Sequence, residues 1–229
     1  MPKISVLQKP DTLRSQVENF LRNAIMSGRF KPGERLKERE LCELLDVSRA
    51  SLREALRRLE AEKLIVTVMH RGPYVATINE QEVRDLYAIR KLLEGYVVQE
   101  FARLADDKLV AELGVVIRQL HETAKTGSTT EILDAKSAFY EVILDGCGNA
   151  LAREMLVNML SRITLLRATS FSNPDRLIPS LREVDQIYER IKARDSIGAQ
   201  QATQLHVAHA EQAVLAMLVQ RAQADATAA

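Results

Sequence analysis

At 229 residues, the chain exceeds the roughly 100–150 residues of a typical single domain, and its 46% hydrophobic and 28% charged residues exclude an extended disordered protein. No stretch reaches the roughly eighteen uncharged apolar residues of a membrane span, which predicts a cytoplasmic protein with no membrane partner. The net charge of +1 is unevenly divided: residues 1–78 hold 15 Lys/Arg against 10 Asp/Glu and residues 79–229 hold 17 against 21, so the N-terminal third is the part suited to a polyanion.

Over residues 12–27, Leu13, Val17, Phe20, Leu21 and Ala24 recur at helical spacing, and Gly28 stops the helix. A Pro-Gly turn in RFKPGERL precedes a second helix in KERELCELLDV, with Leu41, Leu44 and Leu45 on one face. A third helix starts at Ser48 or Ser51, the latter with Glu54 at capping-box spacing; it buries Leu52, Ala55, Leu56 and Leu59 and turns Arg49, Arg53 and Arg57 outward. The period then falls towards two in LIVTVM and YVATI, which flank HRGP as a hairpin with a basic tip. Helix, helix, turn, helix and wing predict a winged helix-turn-helix over residues 1–78.

Such a module lays its third helix in the DNA major groove and its hairpin against the neighbouring backbone or minor groove. Arg49 and Arg53, near the start of the third helix, are the expected readers of guanine edges, because Arg donates a bidentate pair. Arg35, Ser48, Ser51, His70 and Arg71 are expected to hold phosphates, and Gly72 to let the wing backbone approach closely. An arginine row on an isolated helix is more often a solvated face; its place in this motif favours DNA. The run PGERLKERELCELLDVSRASLREALRRLEAEKLI, followed by HRGPYV, resembles the winged helix-turn-helix of the GntR family of bacterial transcription regulators. It departs from the family pattern at Ala50 and Ser51, where Thr-Pro is common. The resemblance implies DNA contacts at Arg35, Arg49, Arg53 and Gly72.

Beyond residue 78 no strand pattern recurs. Helical segments over 80–104, 106–125, 129–145, 150–170, 176–194 and 196–221, broken by Asp106-Asp107, TGSTT, CGN and SNPD, predict an all-α antiparallel bundle over residues 79–229 and a mainly α protein. LYAIRKLLEG and FYEVILDGCGN resemble the FCD ligand-binding domain of the fatty-acid-regulator branch of the family. That resemblance implies a metal site made by an Asp and a His four residues apart and two later His; the matching positions are Lys136, Tyr140, Val184 and His206. Val184 has no lone pair and Lys136 repels a cation, so neither a metal nor another cofactor is expected. Arg90, in RKLLE, matches an FCD first-helix Arg. With Lys136, Tyr140, Arg162 and His206 it forms the predicted site of a small organic acid, held by direct charge-assisted bonds. The competing reading pairs Arg90 with Glu94 one turn on and sends Lys136 to solvent.

His206 and His209, without carboxylate partners at matching positions, read as structural histidines. Cys42 and Cys147 lack CxxC or zinc-finger spacing and read as reduced core thiols. No nucleophile elbow, phosphate-cradling Gly loop or HExxH supports an enzyme. The expected function is a DNA-binding regulator, a repressor by the commoner family outcome, acting as a homodimer on a palindromic operator because one winged module contacts little DNA. The alternatives are an activator and a winged-helix protein-interaction module; the latter would show exposed aromatics or Met at the arginine face and HRG tip.

Overall fold

A computed structural model of the chain describes residues 13–26, 28–159 and 174–228. The chain divides between Thr77 and Ile78 into two compact units.

The first unit contains α1 (Leu13–Met26), α2 (Glu38–Leu45), α3 (Arg49–Ala61), β1 (Ile65–Val68) and β2 (Gly72–Val75). Helices α1 and α2 both pack on α3, and Val17, Leu21, Leu36, Leu41, Leu52, Leu56 and Leu59 are buried. Ser48 caps α3, its Oγ accepting the Ser51 N–H at 3.2 Å. Ser51 therefore belongs to the first turn, and the alternative start at Ser51 is not the one used. Leu44 also departs from expectation: it is 53% exposed, because the inward stripe of α2 centres on Leu41 and leaves Leu44 at its edge.

Strands β1 and β2 pair antiparallel, with Ile65 opposite Val75 and Val68 opposite Gly72. The turn needs left-handed backbone at His70 (φ 62°) and Gly72 (φ 88°), the second of which glycine supplies without steric cost. A bridge between Arg35 and Tyr74, with Val75 N–H donating to Glu34 O and Leu36 N–H to Pro73 O, both at 2.9 Å, stitches the Arg35 segment to the wing.

The second unit is helical: α4 (Glu80–Leu104), α5 (Asp107–Thr126), α6 (Thr129–Gly146), α7 (described over residues 150–159), α8 (Pro174–Lys192) and α9 (Ser196–Ala228). Polar caps define the starts. Asn79 with Glu82 and Ser128 with Glu131 form reciprocal capping boxes, and Asp106 accepts the Leu109 N–H. Helix α9 runs past the predicted end at residue 221 to Ala228, while the predicted continuation of α7 to residue 170 lies outside the described residues. Helix α4 packs on α6, α8 and α9, and α5 on α6 and α8, around Val97, Phe101, Leu113, Ile117, Phe139, Ile143, Ile187 and Ile191. Cys147 is buried and Cys42 partly so, both as free thiols.

Candidate functional site

The first unit presents a cationic surface. Arg49, Arg53 and Arg57 are exposed on α3 while Leu52, Ala55, Leu56 and Leu59 fill the core beneath them. Arg53 is not free: its Nε donates to Glu38 Oε2 at 2.9 Å, with Arg53 61% exposed and Glu38 29%. The other predicted DNA residues fall on the cap of α3 (Ser48, Ser51), the wing turn (His70, Arg71, Gly72) and the segment stitched to the wing (Arg35). Met69, beside His70 at the tip, is 80% exposed; the apolar group expected of a protein-interaction wing is thus present, next to two basic residues.

The second unit carries polar side chains inside its core: Arg90 and Glu94 on α4, Lys136 on α6, Arg176 and Ser180 on α8, Thr203 and His206 on α9. Arg90 Nε donates to Glu94 Oε1 at 2.7 Å, and Tyr140 Oη donates to Glu94 Oε2 at 2.7 Å. The Arg90 guanidinium also lies 4.4 Å from the centroid of the Tyr87 ring. Burial alone would lower the Arg90 pKa, but Glu94, Tyr87 and Tyr140 together hold it above its ordinary value, so its charge is fixed. Among the described residues its Nη1 meets no hydrogen-bond acceptor.

The competing reading holds in one half and fails in the other: Arg90 does pair with Glu94 one turn on, but Lys136 does not reach solvent. It is buried, and Nζ lies 2.8 Å from Ser180 Oγ and 3.1 Å from His206 Nε2. His206 Nδ1 meets Glu183 Oε2 at 2.5 Å, His209 Nδ1 meets Glu183 Oε1 at 2.8 Å, and Arg176 grips the same carboxylate through Nη1 and Nη2 at 3.1 and 2.6 Å. Burial, then the Lys136 charge, hold the His206 pKa down at about 3. Burial raises that of Glu183, but hydrogen bonds from His206 and Arg176 bring it down to about 2. Neutral His206 therefore donates from Nδ1 to ionised Glu183 and accepts from Lys136 at Nε2. Glu183 corrects the expectation that the histidines have no carboxylate partner. A signal for it was available: Arg176, Ser180 and Glu183 stand at helical spacing on the face that continues into buried Ile187 and Ile191.

The metal site that the FCD pattern implies does not fit these residues. The Lys136 ammonium faces the nitrogen of His206 that a cation would need, Tyr140 is engaged with Glu94, and Val184 is an apolar core residue. Among the described residues no three or more His, Cys, Asp or Glu converge on a metal position. Of the predicted effector residues, the structure joins Lys136 to His206 directly and Tyr140 to Arg90 through Glu94; Arg162 lies outside the described residues. An open groove of about 920 Å³ between α8 and α9, lined by Asp185, Glu189, Arg190, Ile197 and Leu205, contains none of the predicted effector residues that are described.

Comparison with known proteins decides the family. The FCD domain matches residues 85–209, and the bacterial regulatory proteins of the gntR family match residues 13–75. The chain belongs to the GntR family. It is 31% identical to the HTH-type transcriptional regulator YdhC of Bacillus subtilis (strain 168) over 207 residues, covering 89% of this chain and 91% of the relative. It is 27% identical to the HTH-type transcriptional repressor GlaR of Escherichia coli (strain K12) over 197 residues, 82% of this chain and 89% of that one. A crystal structure of a GntR regulator from Rhodococcus sp. RHA1 superposes with a TM-score of 0.75 at 25% identity, covering 89% of this chain and 97% of that one. The chain is thus a transcription regulator with a DNA-binding helix-turn-helix and an FCD domain, and its family is one of regulators rather than enzymes. No helix among the described residues is long and apolar enough to cross a membrane.

Proposed function

We propose that this GntR regulator is a cytoplasmic repressor, binding a palindromic operator as a homodimer through residues 1–78 and controlled by a small organic acid that enters the domain formed by residues 79–229. Arg49 and Arg53 read bases; Arg35, Ser48, Ser51, His70 and Arg71 hold phosphates, and Gly72 brings the wing backbone close. Arg90, Lys136, Tyr140, Arg162 and His206 surround the acid, Arg162 by its place in the sequence alone. The observation that carries the effector reading is the burial of two cations on packed helices, Arg90 on α4 and Lys136 on α6. Although Arg90 Nε pairs with Glu94, its buried Nη1 meets no acceptor among the described residues, which favours a ligand that brings one, and the Lys136 amine stands where the family pattern has a metal ligand. Repression is supported by the name of the GlaR relative.

Dimerisation is supported by an apolar stripe on the second unit. Ile89, Leu92 and Tyr96 on α4 and Leu151 and Met155 on α7 are all exposed, and Asn149, at the start of α7, donates to Tyr96 Oη at 2.9 Å, joining the two helices. The test has two arms. Organic acids that raise the melting temperature should also release DNA in a fluorescence-anisotropy assay, unaffected by a chelator. Lys136→Met should lose this response while binding DNA normally; a normal response in Lys136→Met refutes the effector site. Arg49→Ala should cost about 1–3 kcal/mol on a selected duplex and narrow its preference over random DNA, whereas Arg71→Ala should weaken binding to both and lower the salt slope by about one.

A further inference from the structure

We propose that Glu38 is a positioning residue for base recognition, holding the Arg53 guanidinium by one edge so that its terminal nitrogens face outward. The inference rests on reading Arg53 as a base contact. Guanine is recognised by two parallel N–H groups directed at O6 and N7. A guanidinium is planar with its donors in a fixed fork, so a bond that directs the Nε edge at Glu38 also constrains where the terminal nitrogens lie. Glu38 makes that bond at 2.9 Å, and among the described residues Arg53 forms no other hydrogen bond, which leaves the Nη1 and Nη2 pair available.

The holder is itself well held. Glu38 is the first residue of α2, which packs on α3, where a carboxylate is stabilised by the helix dipole. At 29% exposed it is more shielded than the exposed Lys37 and Glu40 pair beside it, at 59% each. Fixing Arg53 in the folded protein removes part of the rotamer entropy that a long side chain otherwise loses on binding. Among the described residues Arg49 has no such tether, so the two arginines are expected to differ in how strictly they read their bases.

Electrostatics and positioning give opposite signs, which makes the inference testable. A carboxylate beside DNA repels phosphates, so its removal by charge alone strengthens binding to every sequence. A lost tether instead weakens binding to the preferred sequence. The experiment measures affinities of the full chain for a duplex enriched by wild-type protein from a randomised pool and for the unselected pool. Glu38→Ala should lower the ratio of the two affinities by about threefold to tenfold while binding to the unselected pool holds or tightens. Glu38→Gln, whose side-chain carbonyl still accepts a hydrogen bond, should recover most of the ratio. On an Arg53→Ala background, Glu38→Ala should leave the ratio unchanged.

A ratio unaltered by Glu38→Ala, or lowered equally on both backgrounds, overturns the positioning role while leaving Arg53 as a reader. An Arg53→Ala single variant with the wild-type ratio overturns the reader and, with it, this inference. A second readout is independent of DNA: the Arg53 Nε–H resonance of the free protein should shift and exchange faster with water in Glu38→Ala, and a resonance that does not change refutes the tether.

Discussion

His206 is an imidazole that the fold keeps uncharged, and its protonation has a thermodynamic consequence. Burial and Lys136 hold its pKa near 3 against an ordinary 6.5. As pH falls through that window the unfolded chain gains a proton that the folded one refuses, so the unfolded state is favoured. The stability tied to neutral His206 is therefore complete above 6.5 and lost on acidification. Glu183, at about 2 against an ordinary 4.5, adds a loss of the same sign at lower pH, since its stabilising ionised form must be protonated. The unfolding free energy from urea titration should fall between pH 6.5 and 4.5 with at most about 1.4 kcal/mol per pH unit from His206. His206→Gln should flatten that window. An identical slope in the variant would remove His206 as its source.

At the scale of elements, the bundle was legible wherever the signal was local chemistry. The breaks at Asp106-Asp107 and TGSTT located the starts of α5 and α6, where Asp106 and the Ser128–Glu131 pair satisfy orphan N–H groups within one turn, as Asn79 and Glu82 do for α4. The spacing of Leu52, Ala55, Leu56 and Leu59 likewise identified the inner face of α3. The rest depended on partners distant in sequence. Glu38 and Arg53 meet across two helices, Lys136 and His206 are separated by 70 positions, and Glu183 follows the polar row of α8 without revealing that two histidines lie opposite. Packing adds another kind of non-local information at Gly146, where an added Cβ would stand 2.6 Å from Cδ2 and Cε2 of the buried Phe101 ring. Helix propensity favours alanine there by up to about 1 kcal/mol, whereas overpacking opposes it by about 1–3 kcal/mol. Gly146→Ala is expected to destabilise the chain, read as a lower denaturation midpoint at constant m-value; a raised midpoint would mean that propensity prevails and the end of α6 can yield.

At the scale of the whole molecule, the basic N-terminal unit and the mildly acidic remainder divide the work: one attracts DNA, and the other keeps most of the surface from competing for it. Counterion release makes such attraction strong but indifferent to sequence, so selectivity requires more base contacts than one short helix offers, and pairing two copies doubles them. The proposed pairing surface on α4 and α7 includes Leu92, 64% exposed in the single chain. A charge at that position remains solvated in a monomer but is buried without a partner in a two-fold interface, where each copy presents the same patch. Leu92→Glu should therefore leave the melting of the winged unit nearly unchanged and convert a dimer into a monomer in sedimentation equilibrium at micromolar concentration. It should also weaken binding to a two-half-site duplex far more than binding to a single half-site. A variant that sediments as a dimer, or loses affinity equally on both duplexes, would place the dimer contact on another surface.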